Sequence, residues 1–412
     1  MNTNTASTHQ TLNLPDNVPA SVKNAFRLLS HLQYGKLIVV LPNGQSHLFG
    51  TQETSANQGI PVLHLHNWNV CSAVFKSGDI GFAETYIAGD WSTSDLPALL
   101  TLLVRNRQQL SLLIYGNWLG RLAYRIRHLL NRNTRSNSRK NIHAHYDLGN
   151  EFYSLWLDKS MNYSSALFDA NPEADLETAQ WAKVKRALDM VQLKPGDRLL
   201  EIGCGWGALA EMAAVQFKAR PTGVTLSSEQ LAFAQQRMER LGMATQADLR
   251  LQDYRDINDE AFDAICSIEM IEAVGKEYWP VYFQSINRLL KQGGRACIQS
   301  IVIDDELYER YINGTDFIQQ YIFPGGCLPS TSQLHQQIRK AGLKLENEFS
   351  FGQDYAKTCK LWREDFLSKK AQVTQLGFDE NFMRTWEFYL AYCEAAFTEG
   401  SINVMQLTLV KE

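Results

Sequence analysis

The chain is 412 residues long, 45% hydrophobic and 20% charged, with 40 Lys or Arg against 44 Asp or Glu. That length exceeds one ordinary core and calls for two or three domains, and the composition excludes a disordered or low-complexity chain. Its most apolar stretches, such as Leu96 to Val104, fall well short of the ~20 residues that a bilayer-crossing helix needs. The seven scattered cysteines show no paired or zinc-ligand spacing and read as reduced thiols of a cytoplasmic protein.

In chain order, residues 1–16 are polar, lack the basic and apolar regions of a signal peptide, and read as a flexible N-terminus. Residues 17–104 mix short apolar runs, Lys36 to Leu41 and Val62 to His66, with a Pro42-Asn43-Gly44 turn, and predict an accessory α+β domain. Residues 105–142 predict a basic amphipathic connector. No acid occurs between Asp95 and Asp147, whereas Arg105, Arg107, Arg121, Arg125, Arg127, Arg132, Arg135, Arg139 and Lys140 do, so the remainder holds 31 bases against 44 acids. Interleaved Leu, Ile, Tyr and Trp favour an anionic lipid surface over nucleic acid, and a solvated basic helix joining two domains weighs equally with the lipid reading.

Residues 143–412 predict the second domain. Helical spacing covers Leu176 to Val191, and Lys194-Pro195-Gly196-Asp197 supplies a turn. The buried strand Arg198 to Ile202 runs into the glycine loop Gly203-Cys204-Gly205-Trp206-Gly207 and a helix from Ala208. A second strand is expected over Pro221 to Leu226 with a helix from Ser228, and a third strand over Ala261 to Ser267. Alternation at this spacing predicts an α/β, Rossmann-like, doubly wound and mostly parallel sheet.

A glycine loop between strand and helix lets backbone amides approach a ligand closely. Glu201-Ile-Gly-Cys-Gly-Trp-Gly207 departs from the dinucleotide fingerprint and resembles motif I of the class I methyltransferases, which implies S-adenosylmethionine as cofactor. Further blocks resemble, in order, those of the cyclopropane fatty acid synthase family: His145 to Asn150, Met161 to Ser165, Gly223 to Gln230, Asp253 to Arg255, Glu269 to Gly275 and Tyr321 to Ser330. The resemblance is close from His143 onward and loose before it.

By matching motif, the resemblance implies that Tyr163 and Ser164 contact the methionine end of the cofactor beside Glu201, Gly203 and Gly205. It further implies that Thr225 and Gln230 take the ribose hydroxyls, and that Asp253 accepts from the adenine amino group with Tyr254 alongside. The family's reaction leaves a carbocation and uses a bound bicarbonate as base. The positions matching its shell are Glu272, Ser165, Gln299, Ile301 and Tyr355. Ser165 stands where a Cys is usual, Gln299 where a His is usual, and Ala273 replaces the His after the Glu.

Two outcomes stay open at this point: Ser165 and Gln299 still hold bicarbonate and a cyclopropane forms, or ring closure fails and a methyl-branched olefin results. The segment Tyr308 to Phe323 is the candidate wall of an acyl slot. The resemblance implies a phospholipid membrane surface as partner, peripheral attachment to the inner face of the cell membrane, no nucleic acid, no metal and a homodimer. A soluble small-molecule methyltransferase and a cofactor-binding protein without catalysis are the competing readings.

Overall fold

The structure is a computed structural model that describes residues 14–15, 18–50, 59–111, 113, 125, 148–168 and 171–412. Most of the basic connector, including Arg121, Arg127, Arg132, Arg135, Arg139 and Lys140, lies outside the described residues, as do His145 to Asp147 and the N-terminus up to Asn13. The chain divides into two compact units, 1–121 and 122–412.

In the first unit, α1 (Ala20–Leu29) precedes β1 (Lys36–Val40) and β2 (Ser46–Gly50), which form an antiparallel hairpin across the expected Pro-Asn-Gly turn. Then follow β3 (Val62–Leu65), α2 (Asn69–Ser77), α3 (Asp79–Ile87), β4 (Trp91–Ser92) and α4 (Leu96–Arg105). The sheet order is β2-β1-β3-β4. Asp95 caps α4 by accepting from the Ala98 amide at 3.0 Å. Buried Asn106 bonds Gln33 N, Tyr34 N, Tyr34 O and Leu102 O, which leaves its amide satisfied on both ends.

The second unit opens with α5 (Asn150–Ser154) and α6 (Leu176–Met190), the latter capped by Asp175. Next come β5 (Arg198–Ile202), α7 (Ala208–Val215), β6 (Arg220–Thr225), α8 (Ser228–Arg240), β7 (Asp248–Leu251), β8 (Phe262–Ile268), α9 (Trp279–Leu289) and β9 (Leu290–Ile303). The unit closes with α10 (Asp305–Ile312), α11 (Thr331–Lys340), β10 (Lys344–Ser350), α12 (Gly352–Ser368), α13 (Lys370–Gln375), α14 (Glu380–Thr398) and β11 (Ile402–Val410). The seven strands lie in the order β10-β11-β9-β8-β5-β6-β7. Strands β7, β6, β5, β8 and β9 are parallel, while β11 runs antiparallel to β9 and to β10.

This is the α/β doubly wound sheet that the alternation predicted. Its central strands are apolar on both faces, as strands covered by helices on each side must be: β5 buries Leu199, Leu200 and Ile202 completely. The chain order reverses direction on either side of β5, and a crevice at the carboxyl ends of the strands is where such sheets bind ligands. No helix among the described residues is long and apolar enough to cross a membrane.

Candidate active site

At the end of β5 the backbone turns through Gly203 (φ +86°) and Gly205 (φ +50°), and the amides of Gly203 and Cys204 both donate to Val224 O of the neighbouring strand. A Cβ on Gly203 would meet Met270 Cγ at 2.2 Å, whereas one on Gly205 would project into open space. The loop is therefore packed on one side and clear on the other. At the end of β6 the buried Thr225 hydroxyl lies 3.0 Å from Gln230 Oε1, and Ser227 caps α8. After β7, both carboxylate oxygens of Asp253 accept from the Arg255 guanidinium, and the buried Tyr254 packs edge-on against Tyr282 at 5.6 Å.

Tyr163 lies within an aromatic cluster: its ring is 5.4 Å from Tyr153, 5.5 Å from Trp156 and 5.4 Å from Trp362, and its hydroxyl is 2.7 Å from that of Tyr389. Ser164 Oγ accepts from Lys183 Nζ at 2.6 Å. Lys183, on α6, is fully buried, and burial brings its ammonium down to about 8 against the pull of Glu269, Asp158 and Glu201. Burial likewise pushes Glu201 up to about 8, opposed chiefly by Lys183, and one Glu201 carboxylate oxygen has no hydrogen-bond partner.

The centre of the site is Glu269, a carboxylate to which the family resemblance attaches no role. Glu269 follows β8 with φ +51°, a left-handed conformation that is rare for a side-chain-bearing residue and clusters at functional sites. Its Oε1 accepts from Ser165 N at 2.9 Å and from Gln299 Nε2 at 2.8 Å, and its Oε2 accepts from Tyr355 Oη at 2.7 Å. Burial raises its pKa, and Tyr355, Ser165, Lys183 and Gln299 act against that rise. Ser165 contributes its backbone amide; its hydroxyl donates to Ala166 O instead.

Glu272, three residues on, is held differently. One of its oxygens accepts from Ile301 N, and the other has no partner. Burial, reinforced by the charge of Glu269, pushes it up to about 8. Two neighbouring carboxyl groups thus sit in unlike surroundings, three donors gripping Glu269 while Ile301 N donates to one oxygen of Glu272.

The donors facing Glu269 are themselves oriented. Arg186 donates to Gln406 Oε1, Gln406 Nε2 donates to Gln299 Oε1 at 2.9 Å, and Gln299 Nε2 then faces Glu269. A guanidinium can only donate. The outermost partner therefore fixes which way both amides point, and Gln299 must offer N–H to the carboxylate. Tyr355 stacks on Phe397 at 4.3 Å, which holds its ring in place.

Comparison with known proteins identifies this architecture. The family model for mycolic acid cyclopropane synthetase matches residues 133–407. The chain belongs to this family. A tuberculostearic acid methyltransferase of Mycobacterium tuberculosis is 38% identical over 374 residues, covering 88% of this chain and 86% of that protein. A cyclopropane-fatty-acyl-phospholipid synthase of Escherichia coli is 35% identical over 346 residues, covering 84% and 86%. Among solved structures, a mycolic acid cyclopropane synthase complexed with SAH and CTAB matches with TM-score 0.62 and 32% identity over 66% of this chain and 97% of that one. A cyclopropane synthase from Mycobacterium tuberculosis matches with TM-score 0.62 and 31% identity, covering 66% and 98%.

As a member of the cyclopropane synthetase family the chain is an S-adenosylmethionine-dependent methyltransferase that modifies lipids. Its residues fit that cofactor: the glycine loop is clear above Gly205, the Thr225–Gln230 pair is neutral and hydrogen-bonding, and Glu201 carries an orphaned oxygen. They do not fit a bicarbonate ion. Of the positions expected to form its shell, Ser165 N, Gln299 Nε2 and Tyr355 Oη are engaged by Glu269, and Ile301 N is engaged by Glu272.

Glu269, Lys183 and Gln406 are the residues that sequence reasoning passed over. A signal for Glu269 was present, since an acid at the end of a buried strand, three residues before another acid, is costly without partners. Lys183 and Gln406 gave none, because one lies on an ordinary amphipathic helix and the other on the last strand. The Tyr308 to Phe323 stretch is α10 followed, after a break, by a π-helical turn over Ile318–Ile322, and Phe317 within it packs on Phe388 at 4.9 Å as part of the interior.

Proposed function

We propose that this enzyme transfers a methyl group from S-adenosylmethionine to the cis double bond of an unsaturated phospholipid acyl chain and releases a methyl-branched olefin. The Glu269 centre, a buried carboxylate held by three donors, carries the methyl transfer to an olefin and would serve either product. In support, the relative that is 38% identical is named a methyltransferase of tuberculostearic acid.

Tyr163, Ser164, Glu201, Gly203 and Gly205 would hold the methionine end of the cofactor, Thr225 and Gln230 its ribose, and Asp253 with Tyr254 its adenine. Bound there, the cofactor supplies an electrophilic methyl group. The protein's own part is to hold the olefin beside it, exclude water and stabilise the positive charge that methyl addition leaves on the acyl chain. The aromatic faces around Tyr163 suit a transient cation, and the buried carboxylate of Glu269 offers opposite charge in a medium of low dielectric. Phe323, 6.4 Å from Tyr163 between ring centroids, brings the Tyr308 to Phe323 wall to this cluster.

A second reading is a cyclopropane product, favoured by the 35% identical cyclopropane-fatty-acyl-phospholipid synthase. The reading also carries a peripheral position at a membrane surface, the basic connector as the lipid-facing element, an accessory domain over 17–104, and a homodimer. The deciding experiment is mass spectrometry of phospholipid fatty acids from cells expressing the protein, after oxidative cleavage of double bonds. An added CH2 in a chain that still cleaves supports the branched olefin. An added CH2 that resists cleavage supports the ring, and no added CH2 sinks both.

A further inference from the structure

We propose that Glu269 is the base of this enzyme, a carboxylate built into the chain where the resemblance expects a dissociable bicarbonate, so that turnover needs no added ion. The inference rests on the proposed methyl transfer to an olefin but not on which product forms.

Three observations carry it. Ser165 N, Gln299 Nε2 and Tyr355 Oη converge on one carboxylate at 2.7–2.9 Å, the kind of donor set that would grip a planar oxyanion. The donors are fixed from behind, since Gln299 is oriented through Gln406 by Arg186. The backbone at residue 269 adopts φ +51°, and its amide donates to Gln299 O at 2.8 Å, so the carboxylate is delivered from the end of β8 by a turn that most residues avoid.

Gln299 also suits the role. A neutral amide donates one hydrogen bond without surrendering a proton, whereas an imidazolium there would neutralise the carboxylate and blunt it as a base.

The step balances within the site. The π pair of the double bond would form the bond to the methyl group as the cofactor's sulfur–methyl bond breaks with its electrons left on sulfur, releasing the neutral thioether S-adenosylhomocysteine and leaving the positive charge on the adjacent carbon. A neighbouring C–H bond then breaks, its electron pair becomes the new π bond, and its proton passes to Glu269, to be released to water before the next turnover. Ring closure would need the same base, with the C–H bond broken on the added methyl group instead. Ile301 N and Glu272 stand beside this centre but bond each other.

The test uses purified full-length protein, S-adenosylmethionine and vesicles of unsaturated phospholipid. Wild type is expected to turn over equally in bicarbonate-depleted and bicarbonate-supplemented buffer, and to show no binding of 13C-bicarbonate by NMR. Glu269→Gln is expected to lower kcat by about 10²–10⁴-fold, the usual contribution of a general base, with cofactor affinity within about twofold of wild type. Glu269→Gly, whose backbone accepts the positive φ freely, is expected to bind 13C-bicarbonate and to regain at least about tenfold in rate with bicarbonate or formate, a partial return of that contribution.

Wild-type turnover that stops on bicarbonate depletion would overturn the proposal. So would a Glu269→Gln enzyme of undiminished rate, or a Glu269→Gly variant that binds no carboxylate and stays inactive in both ions. Absence of methyl transfer by wild type under every condition is a different failure: it removes the proposed function, and the bicarbonate-binding contrast between wild type and Glu269→Gly still decides whether Glu269 fills the shell.

Discussion

The cofactor edge and the Glu269 centre lie on the same sheet but are built in opposite ways. At the cofactor edge, Glu201, Gly203, Gly205, Thr225 and Gln230 fall within thirty positions on two adjacent strands, the glycine loop after the first and the start of the helix after the second. The Glu269 centre draws Ser165, Glu269, Gln299 and Tyr355 from four separate stretches and braces them with Gln406 from a fifth. A site made of local turns tolerates loss of one contact, because backbone geometry carries much of the binding. A site made of converging side chains fails when one donor leaves, since the buried carboxylate is then short of a partner.

That contrast can be broken or sharpened by substitution. The largest expected effect after Glu269 itself is at Gln299. Gln299→Leu strips one donor from Glu269 and the nearer of two acceptors from Gln406 Nε2, leaving only the 3.4 Å contact to Lys183 O, and should cost about 2–4 kcal/mol of stability, together with about a hundredfold in kcat; urea melts and steady-state rates with labelled cofactor measure both. Should its rate stay near wild type, the centre does not depend on converging donors.

Gly203→Ala comes next, at about 1–3 kcal/mol, because its Cβ runs into Met270 while φ is +86°. Met270 sits between Glu269 and Glu272, so this one substitution joins the two regions, and both cofactor affinity and kcat should fall. Thr225→Val removes the hydroxyl that donates to Gln230 and accepts from Ser227 N and should weaken cofactor binding by roughly fivefold, the worth of about 1 kcal/mol, with kcat unchanged in a calorimetric and kinetic comparison. An equal loss in kcat would show the cofactor edge to be as interdependent as the Glu269 centre.

A separate expected signal is a slope. Glu272 is held near 8 in the folded chain against 4.5 for the free side chain, chiefly by burial. Between those values the folded state keeps a proton that the unfolded state gives up, so stability falls as pH rises through this window. Glu201 adds the same trend, while Lys183 acts only above it. Glu272→Gln should flatten the decline in urea midpoint between about pH 4.5 and 8. An unchanged slope would mean that Glu272 is ionised when folded.

Much of the fold was legible because its signals are local. The strand Arg198–Ile202, the helix from Leu176 with its Asp175 cap, and the turn at Gly44 each follow from a few neighbouring residues. The antiparallel edge of β10 and β11 was not legible, since β10 has only half-buried and exposed positions and no alternation strong enough to announce a strand. Within the site, Ser165 serves Glu269 through its amide, a group that every residue except proline carries, while its hydroxyl donates to Ala166 O. For that reason the side chain at 165 says little about what the position does.

By itself the sequence determined the doubly wound sheet, the glycine loop, the family and the cofactor, because hydrophobic period, glycine spacing and motif order are written in consecutive residues. Only the tertiary structure decided which carboxylate stands at the centre. Glu269 and Glu272 are both acids after one buried strand, and nothing local separates them. Three donors from distant segments converge on the first and one amide on the second. Such convergence depends on strand register and helix packing rather than on the identity of neighbours along the chain.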